Sequence, residues 1–112
     1  MAYEPEAGDL IWTDFDPRTG REQSGRRPAL IVSPHPFWKA SHFAIVCPIT
    51  SRVRGFGTST TLPEGLAISG EVLNSHVRSI DTEARPIRFA GKVPDAILAE
   101  VRAKLAALIG LG

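Results

Sequence analysis

The spacing of apolar residues changes once along this chain, close to its C-terminal end, and this limits the folds it can adopt. Up to Lys92 the apolar residues come in short stretches with β-branched or aromatic content and Gly, Pro or Asp at the borders. Strands are expected at Asp9–Phe15, Pro28–Ser33 and His42–Ile49, and in the third Phe43, Ile45, Cys47 and Ile49 alternate onto one face. Further strands are expected at Thr58–Leu62, Glu71–Ile80 and Arg85–Lys92. Beyond these, Ile97, Leu98, Val101, Leu105, Leu108 and Ile109 fall at helical spacing, with Glu100, Arg102 and Lys104 off the stripe. Pro94 suits a helix start and Asp95 the positive end of its dipole. Several short strands followed by one amphipathic helix imply a mainly β protein, a small and strongly bent antiparallel sheet or partly open barrel. With 112 residues the chain holds one core and is read as a single domain over 1–112.

Between the first two strands lies Asp16-Pro-Arg-Thr-Gly-Arg-Glu-Gln-Ser-Gly-Arg-Arg27, a polar loop. Loops of about a dozen residues are uncommon in compact domains and are usually functional or disordered. Here apolar alternation resumes at once in Pro28–Ser33 and pins the far end. The loop carries Arg18, Arg21, Arg26 and Arg27 with a single Glu22 near its middle. Arginine outnumbers lysine ten to three in the chain, a bias that suits planar, bidentate contact with phosphate or carboxylate. The formal charge is only +1, so a polyanion site has to be local rather than a property of the whole surface.

Cys47 is the only cysteine, which leaves no disulfide framework and no cysteine-based zinc site. No apolar run approaches the length of a membrane span and no charged-then-apolar leader is present, so the expected compartment is the cytoplasm. Asp14 and Asp16 have a spacing that invites a metal, but no third ligand stands near and Asp16-Pro17 reads as turn initiation. No metal and no cofactor are expected.

The stretch from Gly8 to Pro34 resembles the start of a MazF/PemK-type toxin, an endoribonuclease of bacterial toxin–antitoxin modules. The resemblance continues through Val46–Ser51, through Val72–Asp81 and into the terminal helix. It implies the SH3-like barrel shared by MazF and CcdB toxins. It also implies sequence-selective, metal-independent cleavage of single-stranded RNA, mRNA above all, to a 2′,3′-cyclic phosphate and a 5′-hydroxyl. A symmetric homodimer follows from the same likeness, as does a MazE-like antitoxin with a disordered acidic tail, through which alone DNA would be contacted.

In that family the arginine before the proline and the threonine after the third strand are the catalytic pair, and here these are Arg27 and Thr50. An arginine keeps its charge at any working pH and clamps phosphate, while a threonine hydroxyl donates to the same oxygens. Glu22 matches a further implicated position and is the candidate general base. A carboxylate with an ordinary pKa of about 4.3 is weak for that task, and its alternative role is to orient the loop or the RNA. Arg21, Gln23 and Arg26 on the loop are expected to contact RNA with Glu22.

Ser51 keeps a hydroxyl where relatives often have a second threonine, and Arg52-Val-Arg-Gly-Phe-Gly57 adds two arginines and an aromatic ring. Such a segment suits unstacked RNA, whose bases stack and whose phosphates pair, so Ser51, Arg52 and Arg54 are expected RNA contacts. Asn74 and His76 lie in a polar-rich segment read as a strand facing the cleft, and are expected to join them. Two other readings stay open: a CcdB-like toxin that poisons a topoisomerase by protein contact, and a catalytically degenerate member that only binds RNA.

Overall fold

The computed structural model describes residues 2–14 and 26–111. In chain order its elements are β1 (Asp9–Thr13), β2 (Arg27–Ile31), α1 (His35–Ser41), β3 (Phe43–Thr50), β4 (Thr60–Thr61) and β5 (Glu71–Val72). A 3-10 turn (Asn74–His76), β6 (Arg78–Asp81), β7 (Ile87–Lys92) and α2 (Asp95–Leu108) complete it. The strands form one antiparallel sheet in the order β4-β5-β3-β2-β1-β7, with β6 paired to β3 beside that path. The two ends of the order are not joined, so the sheet is open, as the expected partly open barrel requires.

β3 organises the bend. Its first half pairs with β6, Phe43 opposite Asp81 through Val46 opposite Arg78, and its last two residues pair with β5, Ile49 opposite Val72 and Thr50 opposite Glu71. Pro48 lies between these two partners and accepts a hydrogen bond from the Leu73 N–H at 2.8 Å. Having no N–H of its own, it cannot return the bond to that side. The ladder is interrupted there, and the expected single strand Glu71–Ile80 is instead two strands separated by the Asn74–His76 turn.

The core lies on both faces of the sheet. Leu10, Leu30, Cys47, Ile49 and Val72 pack on one face beneath Val101 of α2, with Ile97, Leu98 and Leu105 partly buried beside them. Ile11, Ala29, Ile31, Ala44, Val46 and Ile80 pack on the other. Thus β1, β2 and β3 are buried on two sides rather than half-solvated. The helical stripe docks only in part, since Leu108 and Ile109 are exposed. Leu30 is fully buried, so Leu30→Ala should cost about 2 to 5 kcal/mol through lost transfer energy and the cavity left behind. The check is the urea midpoint at unchanged slope, and an unmoved midpoint would contradict this packing.

α1 lies in a Pro-flanked stretch that carries no helical pattern in the sequence. Proline is tolerated in a first helical turn, where its missing N–H has no partner to lose, and Pro36 occupies that turn. His42, expected to open the third strand, caps this helix instead in the left-handed region (φ 61°), its N–H bonded to the Trp38 carbonyl. The Trp38 indole N–H donates to Thr82 Oγ1 at 2.9 Å, which fastens α1 to the end of β6. None of the described helices is long and apolar enough to cross a membrane.

Candidate active site

Arg27 is the first residue of β2 and is followed by Pro28. A residue before proline is held in extended conformation, so its side chain leaves the strand in a defined direction. The register between β2 and β3 sets Ala29 opposite Pro48, and run two residues further it sets Arg27 opposite Thr50. Both side chains line a groove of about 730 Å³, together with Arg26, Ser51 and Arg78. Trp12, Pro28, Pro48 and Ile49 supply apolar wall. Trp12, which alternates with Leu10 and reads as core, is half-buried and serves both purposes.

The Thr50 hydroxyl is already oriented. Its Oγ1 accepts the Arg52 N–H at 3.1 Å, a local turn that occupies one lone pair. The hydroxyl hydrogen is then directed away from that N–H and available to an acceptor in the groove. Gly70, the residue before β5, lies against the same segment. At φ 129° it lies where side-chain-bearing residues are strained, and a Cβ there would come within 2.1 Å of the Thr50 carbonyl oxygen.

A second groove of about 430 Å³ shares Thr50 and Leu73 with the first, so the two meet at the threonine. It gathers Arg52, Arg54, Phe56, Ser75 and His76, with Phe56 largely exposed. Among the described residues no Asp or Glu lines either groove, while five arginines do. A chain of net charge +1 therefore concentrates positive charge on this surface. An exposed aromatic ring among these guanidinium groups gives a base a face to stack on.

The sequence-derived candidates divide accordingly. Arg26, Arg27, Thr50 and Ser51 come together in the first groove, and Arg52, Arg54 and His76 meet Thr50 again in the second. Arg21, Glu22 and Gln23 lie outside the described residues. Asn74 does not face a groove. The 3-10 turn rotates it inward, where it is fully buried and its amide donates to Thr60 Oγ1 at 3.1 Å. Its expected contact with RNA is therefore corrected to a structural role, because a strand's alternation does not hold through a 3-10 turn.

Arg78 is the groove residue that sequence reasoning passed over. Its signal was present, an arginine two positions after His76 in the same polar stretch. The Cys47 thiol is buried and pushed up to about 12 by desolvation, which suits a core residue and not a nucleophile. Asp14 lines neither groove. His35 and His42 pair with Glu4 and Glu83 at the surface, each at 2.7 Å.

The geometry is thus that of a small open-sheet protein with an arginine-lined double groove that meets at a threonine. The family model described as "PemK-like, MazF-like toxin of type II toxin-antitoxin system" matches residues 6–109, and the chain belongs to that family. The endoribonuclease toxin MazF of Escherichia coli K12 is 37% identical over 108 residues, covering 96% of each chain. Solved structures agree in shape. MazF of Deinococcus radiodurans superposes with a TM-score of 0.87 at 44% identity, over 97% of this chain and 99% of that one. MazF of the same organism in a MazE–MazF structure also gives 0.87, at 41% identity over 99% and 100%.

Proposed function

We propose that this chain is an endoribonuclease toxin that cuts single-stranded RNA, mRNA foremost, in the groove between Arg27 and Thr50. The observation that carries the reading is the presence of these two side chains, one cation and one hydroxyl, in the same groove, which meets a second groove at Thr50, the two being lined by arginines and no described acid. Family membership and the endoribonuclease relatives support the same reaction.

In the reaction the ribose 2′-hydroxyl attacks the adjacent phosphorus and its proton passes to a base. The P–O5′ bond breaks, leaving a 2′,3′-cyclic phosphate on one fragment and, after protonation, a 5′-hydroxyl on the other. Negative charge builds on the non-bridging oxygens as the fifth bond forms. Arg27 and Thr50 oppose that charge with donors that need no reorganisation. Glu22 is the candidate base, and Arg26, Ser51 and Arg78 hold the flanking phosphates. Because the charge is met by a guanidinium and a hydroxyl, the step needs no metal.

Purified protein incubated with a long RNA in EDTA should produce discrete fragments with 5′-hydroxyl ends. Loss of cleavage in EDTA with recovery on adding one divalent ion would overturn the metal-free step. Failure to cut any RNA under either condition would contradict the reading as a whole.

The protein works in the cytoplasm as a homodimer, neutralised by a cognate antitoxin whose acidic, disordered tail occupies the cationic grooves. Arginines that bind phosphate also bind carboxylate, and a segment that orders on binding covers a long surface. Antitoxin peptide and RNA should therefore compete for an inactive Thr50→Val variant, with both affinities falling as salt rises. A stable ternary complex with RNA affinity unchanged would move inhibition away from the groove.

A further inference from the structure

Glu71 is a buried acid that the reaction does not use. It is 1% exposed, and as the middle strand's residue it pairs with Thr50 on β3 and Thr61 on β4. No described cation is bonded to it. Its carboxylate instead receives two main-chain donors from the exposed loop that follows Thr50: the Arg54 N–H at 3.3 Å on Oε1 and the Gly55 N–H at 2.8 Å on Oε2. Gly55 has φ 73°, a left-handed conformation that glycine adopts at little cost, so the chain can turn directly after the second of these donors. The two main-chain N–H groups thus share one buried carboxyl side chain, which ties the tip of the loop to the sheet. The Ser59 N–H closes the loop behind it on the Phe56 carbonyl at 3.0 Å.

The loop so held presents Arg52, Arg54 and Phe56 to the second groove, beside Thr50. Left without the carboxylate, a loop whose side chains are exposed from Ser51 to Thr58 has little packing to fix it. We propose that Glu71 is a positioning residue for RNA sequence selectivity: it locks the Arg52–Phe56 segment into one arrangement, so that the nucleotide beside the scissile phosphate meets a preformed subsite of phosphate-binding arginines and a stacking ring. This rests on the reading of the grooves as an RNA site. Glu71 acts through the loop and touches no substrate. Its effect is therefore on discrimination among sequences more than on the chemical step.

The test has one arm that needs no RNA and one that does. Glu71→Gln keeps the volume but can accept only one of the two N–H groups. Amide hydrogen exchange at Arg54 and Gly55 should accelerate about tenfold or more, while the β3 amides and the melting temperature stay near wild type. In cleavage of a long RNA, the ratio of rates at preferred over non-preferred sites should fall about tenfold, with the rate at non-preferred sites little changed. Glu71→Met, which removes the buried carboxyl group and fills the space, serves as the second variant should Gln fail to fold.

Unchanged exchange at Arg54 and Gly55 in a folded variant would overturn the clamp. Faster exchange with an unchanged selectivity ratio would overturn its role in recognition. A wild-type protein that cuts no RNA would instead remove the function on which the selectivity role rests, and the exchange arm would separate that failure from failure of the clamp.

Discussion

Arg27→Ala should lower the rate of RNA cleavage by about a hundred- to a thousandfold, the usual loss when one preorganised donor to a developing oxyanion is removed. The fold should survive, since the side chain is exposed and only the Arg27 backbone takes part in the pairing of β1 with β2. Arg27→Lys should restore the charge but not the rate, because an ammonium lacks the planar fork that holds two oxygens at once. Most of the loss should appear in kcat, with the neighbouring Arg26 and Arg78 retaining RNA in the groove. Near-normal cleavage by the alanine variant, measured with the protein shown to be folded, would take Arg27 out of the mechanism.

Thr50→Val should have an effect of similar size, about a hundredfold or more, by a different route. The substitution keeps the β-branched shape at the end of β3 but removes both functions of the hydroxyl: the donor to phosphate and the acceptor of the Arg52 N–H. Thr50→Ser keeps both and should recover much of the rate. This pattern separates chemistry from packing, since valine fills the space better than serine does. A valine variant as active as the serine one would mean that the side chain only shapes the groove.

The parts of the fold legible in the sequence were those set by local periodicity. β1, β2 and β3 follow from short β-branched or aromatic stretches with Gly, Pro or Asp at their borders, and α2 from the switch in spacing after Lys92 together with Pro94 and Asp95. What escaped depends on contacts between segments. The break between β5 and β6 arises because Pro48, on another strand, withholds a hydrogen bond. α1 is seven residues long with none buried, so no apolar stripe announces it.

The site divides in the same way. Arg27 and Thr50 were found because motifs around them resemble a family, and the register of β2 on β3 then accounts for their meeting. Asn74 was misplaced because a single 3-10 turn changes which side chains point outward. Glu71 carried no signal at all, since its partners are main-chain N–H groups of a loop and not side chains that a sequence displays.

The mechanism requires the RNA's own 2′-hydroxyl as nucleophile, and one measurement addresses that directly. Once the cleavage motif has been mapped, a short RNA carrying it is made with a single 2′-deoxy sugar on the 5′ side of the scissile phosphate, and its cleavage is compared with that of the all-ribose oligonucleotide. Both oligonucleotides should bind inactive Thr50→Val at similar affinity, while the wild-type protein should leave the deoxy one uncut and yield a cyclic phosphate and a 5′-hydroxyl from the all-ribose one. Cleavage of the deoxy oligonucleotide at an undiminished rate would mean that water or a protein group attacks the phosphorus, and would contradict the mechanism assigned to Arg27 and Thr50.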